Sequence, residues 1–344
     1  MSEITVFEGM TEKRLREILN DIKNVRAAVY GDLCIDVYWY ADMRMSELSR
    51  ETPHFAMPII DERVSLGGGG NVAANMAALK PKKVTASGTA GNDWRESELT
   101  RLMNAAGISS ELIVRRPDLL TNAFCKPMRR GISDTIYEDP RLDFANVVPF
   151  GTDVEDALIA ALDKVAEQTD VLCISDQLPL NVYGAVTARV REHIIKLAQN
   201  GLTVITDSRD KIGLYRDLIL KPNEVEGARA AGLENAKDIN DFAEAARTLA
   251  QNQNNEVIMT IGAKGSLYTT GEEVIHIPAR IVDGEIDIVG AGDTFISGFA
   301  LAVAAGASRP EAAFVAGLCS EVTIQKTGTT GTASPDEVIA RFNG

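Results

Sequence analysis

The residues with the clearest potential for chemistry form a glycine turn near the C-terminus. Gly290, Ala291, Gly292 and Asp293 follow one another, and a helical pattern continues over residues 294–305. Small residues let the backbone come close to a ligand, and the free N–H groups at a helix start favour an anion. Asp293 could accept a proton from a hydroxyl that attacks a phosphate held there. The turn therefore favours phosphoryl transfer to an alcohol, with a plain N-cap aspartate as the alternative.

A second glycine-rich segment lies at residues 67–70, directly before Asn71. Four glycines permit close backbone approach or a lid hinge, and the Asn71 amide offers the donor and the acceptor that sugar hydroxyls need. We therefore expect Gly68, Gly69 and Asn71 to bind substrate. A turn of the form Gly-x-Gly-x-x-Ala beginning at Gly68, with Asp93 about 20 residues on, also fits a dinucleotide site. A flexible loop with an asparagine cap is the third interpretation.

Two later segments could line a nucleotide. Asn223 and Glu226 are three residues apart, a spacing that could orient water around Mg²⁺ near a triphosphate or form a capping box at a helix start. Thr260, Gly262 and Gly265 lie in a glycine-rich turn after a predicted strand and could face phosphates. This turn lacks the Gly-Lys-Ser/Thr of a Walker A loop, so an ordinary β-turn is the alternative.

Charged side chains elsewhere could hold the sugar or its phosphate. Carboxylates such as Asp36 can bind sugar hydroxyls, and we expect Arg141 and Asp143 to lie near the same ligand. Arg209 follows a predicted strand and is placed to reach a phosphate. The carbonyls and hydroxyls of residues 326–331 could ring a monovalent cation, or form only a helix C-terminal loop. A solvated surface charge is the alternative for most charged residues of this set.

Helices and strands alternate along most of the chain, which positions these turns. The predicted helices cover residues 11–23, 71–79, 93–106, 154–167, 182–199, 224–231, 239–250, 294–305, 310–325 and 335–341. The predicted strands cover residues 25–30, 84–89, 110–114, 171–175, 203–207, 218–220 and 257–261, with a hairpin at 266–270 and 274–278. Repeated strand–helix units indicate a mainly parallel sheet with helices on both faces. Extended segments at about 33–63 and 120–140 do not fit this alternation of strands and helices. We expect them to form a small β lid over the ligand-binding edge of the sheet.

The composition of the chain argues against several classes of protein. The 344 residues carry a formal net charge of −14, which argues against a nucleic-acid or anionic-membrane surface. The four cysteines are far apart in sequence, so we expect buried thiols in a cytoplasmic protein. The N-terminus has no apolar signal core and no apolar run reaches membrane-spanning length. The three histidines are scattered, and zinc-site spacing is absent from the sequence.

These segments, in this order, resemble the ribokinase-like PfkB family of carbohydrate kinases. Asp287-x-x-Gly-Ala-Gly-Asp293 matches the C-terminal signature of that family, and residues 67–71 match its N-terminal signature. Asn223-x-x-Glu226 matches its Mg²⁺-associated motif. The resemblance spans almost the whole chain. It implies a three-layer α/β/α Rossmann-like core with a β lid, and ATP bound in a shallow groove between the late loops.

Two further segments are similar to one branch of that family. Gly31-Asp32-x-x-Ile35-Asp36-x-Tyr38-Trp39-Tyr40 and Arg141-Leu142-Asp143-Phe144 resemble the kinase part of the heptose 7-phosphate kinase/ADP-heptose synthase proteins. That part phosphorylates the anomeric hydroxyl of a phosphorylated heptose. The chain departs from the pattern at Val37, where an arginine is usual, and at Lys80, where a glycine is usual. We expect residues 1–344 to form a single kinase domain, without the nucleotidyltransferase part of the two-domain proteins.

The residues and the resemblance together predict an ATP-dependent sugar kinase. Asp293 is the expected general base, ionised at neutral pH because the helix N-terminus favours negative charge. The amides of residues 290–292 are expected to stabilise the transferred phosphoryl group. ATP and Mg²⁺ are the expected cofactors, with Asn223 and Glu226 acting on Mg²⁺ through water. The family likeness implies a homodimer through the lid, and K⁺ dependence stays open. A dinucleotide-dependent oxidoreductase and a non-catalytic sugar-binding protein on the same scaffold are the alternatives.

Overall fold

Strands and helices alternate through most of the computed structural model, which describes residues 4–131, 135–179, 183–328 and 330–344. The strands in these ranges are β1 (Ile4–Val6), β2 (Arg26–Gly31), β3 (Leu33–Asp42), β4 (Ile59–Gly68), β5 (Lys83–Ala90), β6 (Ile108–Ser109), β7 (Val114–Arg115), β8 (Asn122–Arg130), β9 (Ile136–Glu138), β10 (Leu142–Phe144), β11 (Val171–Asp176), β12 (Thr203–Ser208), β13 (Ile219–Leu220), β14 (Glu256–Thr260), β15 (Ser266–Thr269) and β16 (Val274–Ile277). The α-helices are α1 (Glu12–Asp21), α2 (Gly69–Ala78), α3 (Trp94–Ala105), α4 (Thr152–Ala166), α5 (Ala188–Gln199), α6 (Glu224–Ala230), α7 (Ile239–Gln253), α8 (Ala291–Ala304), α9 (Arg309–Thr323) and α10 (Pro335–Asn343).

The main sheet is mostly parallel, as predicted. Its order is β1-β16-β15-β14-β13-β12-β11-β2-β5-β6, and β7 also pairs with β5. All pairs from β6 to β14 are parallel, whereas β15 is antiparallel to both of its neighbours. Parallel neighbours need crossover connections, which the intervening helices supply.

Alternation along the central strands divides the core into two layers. In β2, Ala27 and Val29 belong to one apolar cluster, and Ala28 and Tyr30 belong to the other. Successive side chains of a strand point to opposite faces, so the two clusters lie on the two sides of the sheet. Residues of α1, α2, α3, α8, α9 and α10 fill the first cluster, and residues of α4, α5 and α7 fill the second. The three-layer α/β/α arrangement is confirmed.

A second, smaller sheet forms the lid that the extended segments predicted. Its order is β10-β8-β3-β4, with β9 paired to β8. The lid strands reach beyond the predicted limits, to Gly68 in β4 and to Phe144 in β10. The predicted lid segment at 120–140 includes residues 132–134, which lie outside the described residues.

The glycines at 67–70 do not form a flexible loop, so that alternative is wrong. Gly67 pairs with Cys34 and Gly68 with Leu33 at the end of β4, and α2 begins at Gly69. Gly68 has a φ of 51°, and an added Cβ would lie 2.7 Å from the Asp32 carbonyl oxygen. Only glycine fits this close strand-to-helix connection.

Several elements differ in their limits from the prediction. Helix α5 begins at Ala188 because Thr187 caps it by accepting from the Val190 N–H; predicted residue 182 lies outside the described ranges. Helix α8 begins at Ala291 rather than residue 294, so Asp293 lies inside its first turn. The single strand predicted at 110–114 is replaced by the short strands β6 and β7.

Two expectations from composition can be compared with the structure. All four cysteines are buried and free of disulfides, as expected. Within the described ranges, the helices are too short or too polar to cross a membrane.

Candidate active site

A cavity of about 770 Å³ lies at one end of the main sheet and is lined by the motifs predicted in the C-terminal half of the chain. Its walls include residues at or directly after the ends of parallel strands, such as Asp207, Lys221 and Thr260. Ligands bind at this edge in open α/β sheets. The predicted residues that line it are Arg209, Asn223, Glu226, Thr260, Gly262, Gly265, Gly290, Ala291, Gly292 and Asp293. The structure thus brings every predicted nucleotide residue together with the predicted base.

The glycine turn is a helix start with unpaired donors. Gly290 is the N-cap of α8 with a φ of 83°, a conformation that favours glycine. The Ala291 N–H donates to the Ile288 carbonyl at 3.1 Å, so it is not free to hold an anion. Within the described chain, the N–H groups of Gly292 and Asp293 have no hydrogen-bond acceptor. The Gly290 N–H likewise has no acceptor among the described residues, so of the three amides predicted at residues 290–292 only that of Ala291 is occupied.

Asp287 holds this turn in place, a role that the sequence did not assign. Its carboxylate accepts from the Val289 N–H at 3.0 Å and from the Gly328 N–H at 3.1 Å. Its own N–H donates to the Ile324 carbonyl at 2.8 Å. Asp287 therefore ties the turn to the loop after α9.

Asp293 is the third residue of α8, so the N-cap interpretation is wrong. The pKa of its carboxyl is raised to about 6, chiefly by burial, with smaller contributions from the nearby charges of Asp207 and Asp36. The hydrogen bond from Asn71 and the charge of Lys221 oppose this shift. With a pKa of about 6 the carboxylate is largely ionised at neutral pH, as expected, and is more basic than an ordinary aspartate.

Asn71 connects the glycine segment to this carboxylate. Its Nδ2 donates to Asp293 Oδ2 at 2.7 Å. Asn71 lies within the first turn of α2, whose N-cap is Gly68, so Asn71 is not a helix cap. Asn75 Nδ2 donates to Asn71 Oδ1 at 3.3 Å, and Asn75 Oδ1 accepts from Thr294 Oγ1 at 2.8 Å. This buried network fixes the Asn71 amide, so that its nitrogen faces Asp293. The sequence signal for Asn75 was its position one helical turn after Asn71.

A buried ion pair, formed by Lys221 and Asp207, lies beside the turn. Lys221 Nζ is 2.9 Å from Asp207 Oδ2, and Lys221 is only 3% exposed. An added Cβ on Gly292 would lie 3.7 Å from Lys221 Nζ, which places the ammonium next to the unpaired amides. Neither residue was predicted from the sequence to belong to the site, although Lys221 directly precedes the Asn223 motif.

Asn223 and Glu226 form a capping box at the start of α6. Asn223 Oδ1 accepts from the Glu226 N–H at 2.8 Å, and Glu226 Oε2 accepts from the Asn223 N–H at 2.9 Å. Burial raises the pKa of Glu226, and the Asp207 carboxylate raises it further. Two mutually repelling carboxylates in one cavity fit a nearby cation. Within the described ranges, the structure contains no group of three or more His, Cys, Asp or Glu side chains that could hold a metal ion.

The turn after β14 connects β14 tightly to β15 and also forms part of the cavity wall. Gly262 and Gly265 have φ values of 57° and 98°. A Cβ on Gly265 would lie 2.1 Å from the Ile277 carbonyl oxygen. Residues Gly262–Lys264 form a single turn of 3₁₀ helix, and Gly262 and Gly265 face the cavity.

Apolar residues also line the cavity, which the sequence did not predict. Ile281 and Ile288 line it while remaining 85% and 71% exposed. Ile286 and Phe314 are part of the same wall. An open apolar surface of this kind suits the face of a flat aromatic ligand.

The predicted sugar residues do not line this cavity. Asp36, Gly68 and Asp143 lie on lid strands, whereas Gly69 and Asn71 lie in α2. Asp36 is buried on β3, and Lys126 Nζ lies 3.7 Å from its Oδ2. Burial raises the pKa of Asp36. Its charge also affects the pKa of Asp293, so the two carboxylates lie near one another. Arg141 and Asp143 bind each other through two contacts of 2.6 and 2.7 Å.

The loop at residues 326–331 gives no direct support for a cation site. Lys326 Nζ donates to the Thr332 carbonyl and to Glu337 Oε1, both at 2.6 Å. Residue 329 lies outside the described chain, so a K⁺ requirement stays a prediction.

The dinucleotide interpretation of the turn at Gly68 is wrong. That fingerprint follows a parallel core strand, whereas β4 is antiparallel to β3 and belongs to the lid. Asp93 is occupied as the cap of α3 and accepts from the Glu96 and Thr121 N–H groups, each at 3.1 Å.

Known proteins similar in sequence include bifunctional proteins. The chain is 31% identical to the bifunctional protein HldE of Nitrobacter winogradskyi over 304 residues, which is 87% of this chain and 60% of that protein. It is 27% identical to the bifunctional protein HldE of Geobacter metallireducens over 336 residues, covering 96% and 65% of the two chains. The chain thus spans under two thirds of the length of these relatives.

Solved structures with the same fold include sugar kinases. The complex of Arabidopsis thaliana ribokinase with ribose and ATP superposes with a TM-score of 0.71 at 18% identity, covering 93% of this chain and 99% of that one. Phosphofructokinase-2 from Escherichia coli with fructose-6-phosphate gives 0.70 at 19% identity, covering 93% and 98%. The fold is ribokinase-like. The model of the pfkB family carbohydrate kinases matches residues 26–337. The chain therefore belongs to the pfkB family of carbohydrate kinases, which are phosphotransferases with an alcohol group as acceptor.

Proposed function

We propose that this enzyme transfers the γ-phosphate of ATP to a hydroxyl of a sugar phosphate. The observation that carries the proposal is the position of Asp293. It accepts from Asn71 at 2.7 Å and lies in the turn whose Gly292 and Asp293 amides find no acceptor among the described residues. The nucleotide cavity lies on one side of this carboxylate, and the lid with Asp36 is near enough to affect its pKa.

The chain's own groups account for the reaction by positioning and charge. Asp293 takes the proton of the sugar hydroxyl as that oxygen attacks the phosphorus atom. The amides of Gly292 and Asp293 donate to the oxygens of the transferred group, whose charge is spread in a loose transition state. Asn71 keeps one carboxylate oxygen occupied and leaves the other for the hydroxyl.

We propose that ATP occupies the cavity with its base against the apolar wall of Ile281 and Ile288. Thr260, Gly262, Gly265 and Arg209 would lie along the nucleotide. Mg²⁺, when bound, neutralises phosphate charge. Asn223 and Glu226 would hold it through water, consistent with the repulsion between Glu226 and Asp207.

The lid chemistry favours an acceptor that carries a phosphate. Lys126 Nζ lies 3.7 Å from Asp36 and donates to the Tyr38 hydroxyl at 2.9 Å. Arg63 stacks on the Tyr38 ring at 4.1 Å, and its Nε is buried with no acceptor in the part of the chain that the structure describes. Cations placed beside a sugar-binding carboxylate suit an anionic substituent. The sequence resemblance makes heptose 7-phosphate the first candidate, with Asp36 and Asn71 on the sugar hydroxyls.

A substrate screen with ADP release as readout tests this function. The panel contains heptose 7-phosphate, hexose phosphates, free hexoses and free pentoses, each with ATP and Mg²⁺. We expect turnover with at least one sugar phosphate and a much lower rate with its unphosphorylated counterpart. Equal rates for phosphorylated and free sugars would exclude the phosphate preference, and inactivity across all sugars would argue against a sugar acceptor. A Lys126→Met variant should raise the KM for the phosphorylated sugar selectively.

We also propose a homodimer through the lid. Strand β4 is an edge strand, and Phe55, Ile59 and Ile60 are 66%, 46% and 52% exposed. An apolar sheet edge is a template for pairing with another chain. Light scattering should give about twice the 37.1 kDa chain mass. Ile60→Glu should yield a monomer, whereas Leu214→Glu, at another exposed apolar site, should leave the mass unchanged.

A further inference from the structure

Lys221 is a buried cation whose position is not explained by stability alone. It is 3% exposed and makes a 2.9 Å ion pair with Asp207. Removing two charges from water costs several kcal/mol per ion, and the pairing often only compensates that cost. Replacement of a buried ion pair by well-packed apolar residues is often neutral or stabilising, so a second role for these charges is worth testing.

The surroundings of Lys221 point to a ligand. Its ammonium lies near Gly292, where an added Cβ would be 3.7 Å away. The Gly292 and Asp293 amides have no acceptor in the described chain. Lys221, Gly292 and Asp293 all line the same cavity. A cation and two amide donors that converge on one space form a site for a tetrahedral anion.

Asp207 restrains the lysine without using all of its donors. An ammonium has three N–H donors. Only the contact with Asp207 is made by the described side chains. Donors therefore remain for a second anion, and the flexible stem of lysine permits a small movement toward it.

We propose that Lys221 binds the terminal phosphate of the nucleotide and that Asp207 positions it. The inference rests on the proposed function, because it assumes that the nucleotide ends at the Gly292 and Asp293 amides. The phosphate next to Asp293 is the one transferred, so Lys221 contacts the γ-phosphate and stabilises its negative charge during transfer. ADP lacks that group and makes no use of the lysine.

The test compares the binding of ATP and ADP mimics. Titration calorimetry with Mg²⁺ measures the affinities of a β,γ-imido ATP analogue and of ADP for the parent, Lys221→Met, Asp207→Asn and the double variant. Lys221→Met leaves Asp207 buried and unpaired, and thermal unfolding should show the loss of stability. The double variant removes both charges, so it keeps the experiment valid if the single variant fails to fold. Lys196→Met, on the exposed face of α5, controls for net charge.

We expect Lys221→Met and the double variant to weaken the ATP analogue by about 10- to 100-fold, the effect of a lost charge-assisted hydrogen bond. ADP affinity should change less than about threefold. Asp207→Asn keeps the ammonium and should retain most of the discrimination. The inference is overturned if the double variant folds and binds both nucleotides like the parent, because the pair would then be structural. If the parent binds neither nucleotide, the proposed function fails and this inference fails with it.

Discussion

At the scale of the residue, burial raises the pKa of Asp293 by more than the positive end of the α8 dipole lowers it. A carboxylate in the first turn of a helix is stabilised by the positive end of the dipole. The structure nevertheless raises its pKa to about 6, first by burial and then through Asp207. Asn71 and Lys221 counter this shift, so the group stays ionised at neutral pH while gaining basicity. A general base works best when its pKa lies near the working pH.

This pKa predicts a low-pH limit to activity. Protonated Asp293 cannot accept the hydroxyl proton, so kcat/KM should fall tenfold per pH unit below about 6 and level off above it. Asn71→Ala removes a hydrogen bond that lowers the pKa, so the midpoint should move to higher pH. Initial rates from pH 5 to 8 measure both midpoints. If the pH dependence came from ionisation of ATP, the midpoint would be the same in the parent and in Asn71→Ala. An unshifted midpoint would therefore mean that Asp293 is not the titrating group.

At the scale of the element, two helices meet to form the site. Helix α2 contributes Asn71 and Asn75, and α8 contributes Asp293 and Thr294. Asn71 donates to Asp293, and Thr294 donates to Asn75. The approach needs glycine at position 290, where an added Cβ would lie 3.1 Å from Asn71 Nδ2. The sequence predicted both helices and the glycine turn. It could not predict the contact between them, because Asn71 and Asp293 are 222 residues apart in the chain.

Gly290→Ala should damage activity beyond its cost in stability. Gly306 provides a matched control, since it also has a φ of 83° but has open space around an added Cβ. Both alanine variants should lose about 1–2 kcal/mol from left-handed backbone strain, measured by urea unfolding. Only Gly290→Ala should also reduce kcat, by about tenfold or more, because it displaces Asn71 and the turn. Equal kcat values in the two variants would show that the turn does not require close packing with Asn71.

At the scale of the whole molecule, the cavity that we propose for the nucleotide and the lid meet at the Asp293 carboxylate. The sequence predicted the parallel sheet, the lid and the residues that face the cavity, because strand–helix alternation and glycine turns are local signals. It missed Lys221, Asp207 and Asp287, whose roles depend on neighbours brought close only by folding. The four glycines before Asn71 were ambiguous for the same reason, since pairing with β3 decides that they end a strand.

The most direct test of the central claim is the turnover of Asp293→Asn with the sugar that the substrate screen identifies. Asparagine has nearly the same shape and cannot act as a general base, so the fold and the affinity for the ATP analogue should stay close to those of the parent. We predict that kcat falls by about 10²- to 10⁴-fold, the usual contribution of a positioned base. A variant that folds, binds the analogue and turns over at a near-parental rate would contradict the assignment of Asp293 as the catalytic base.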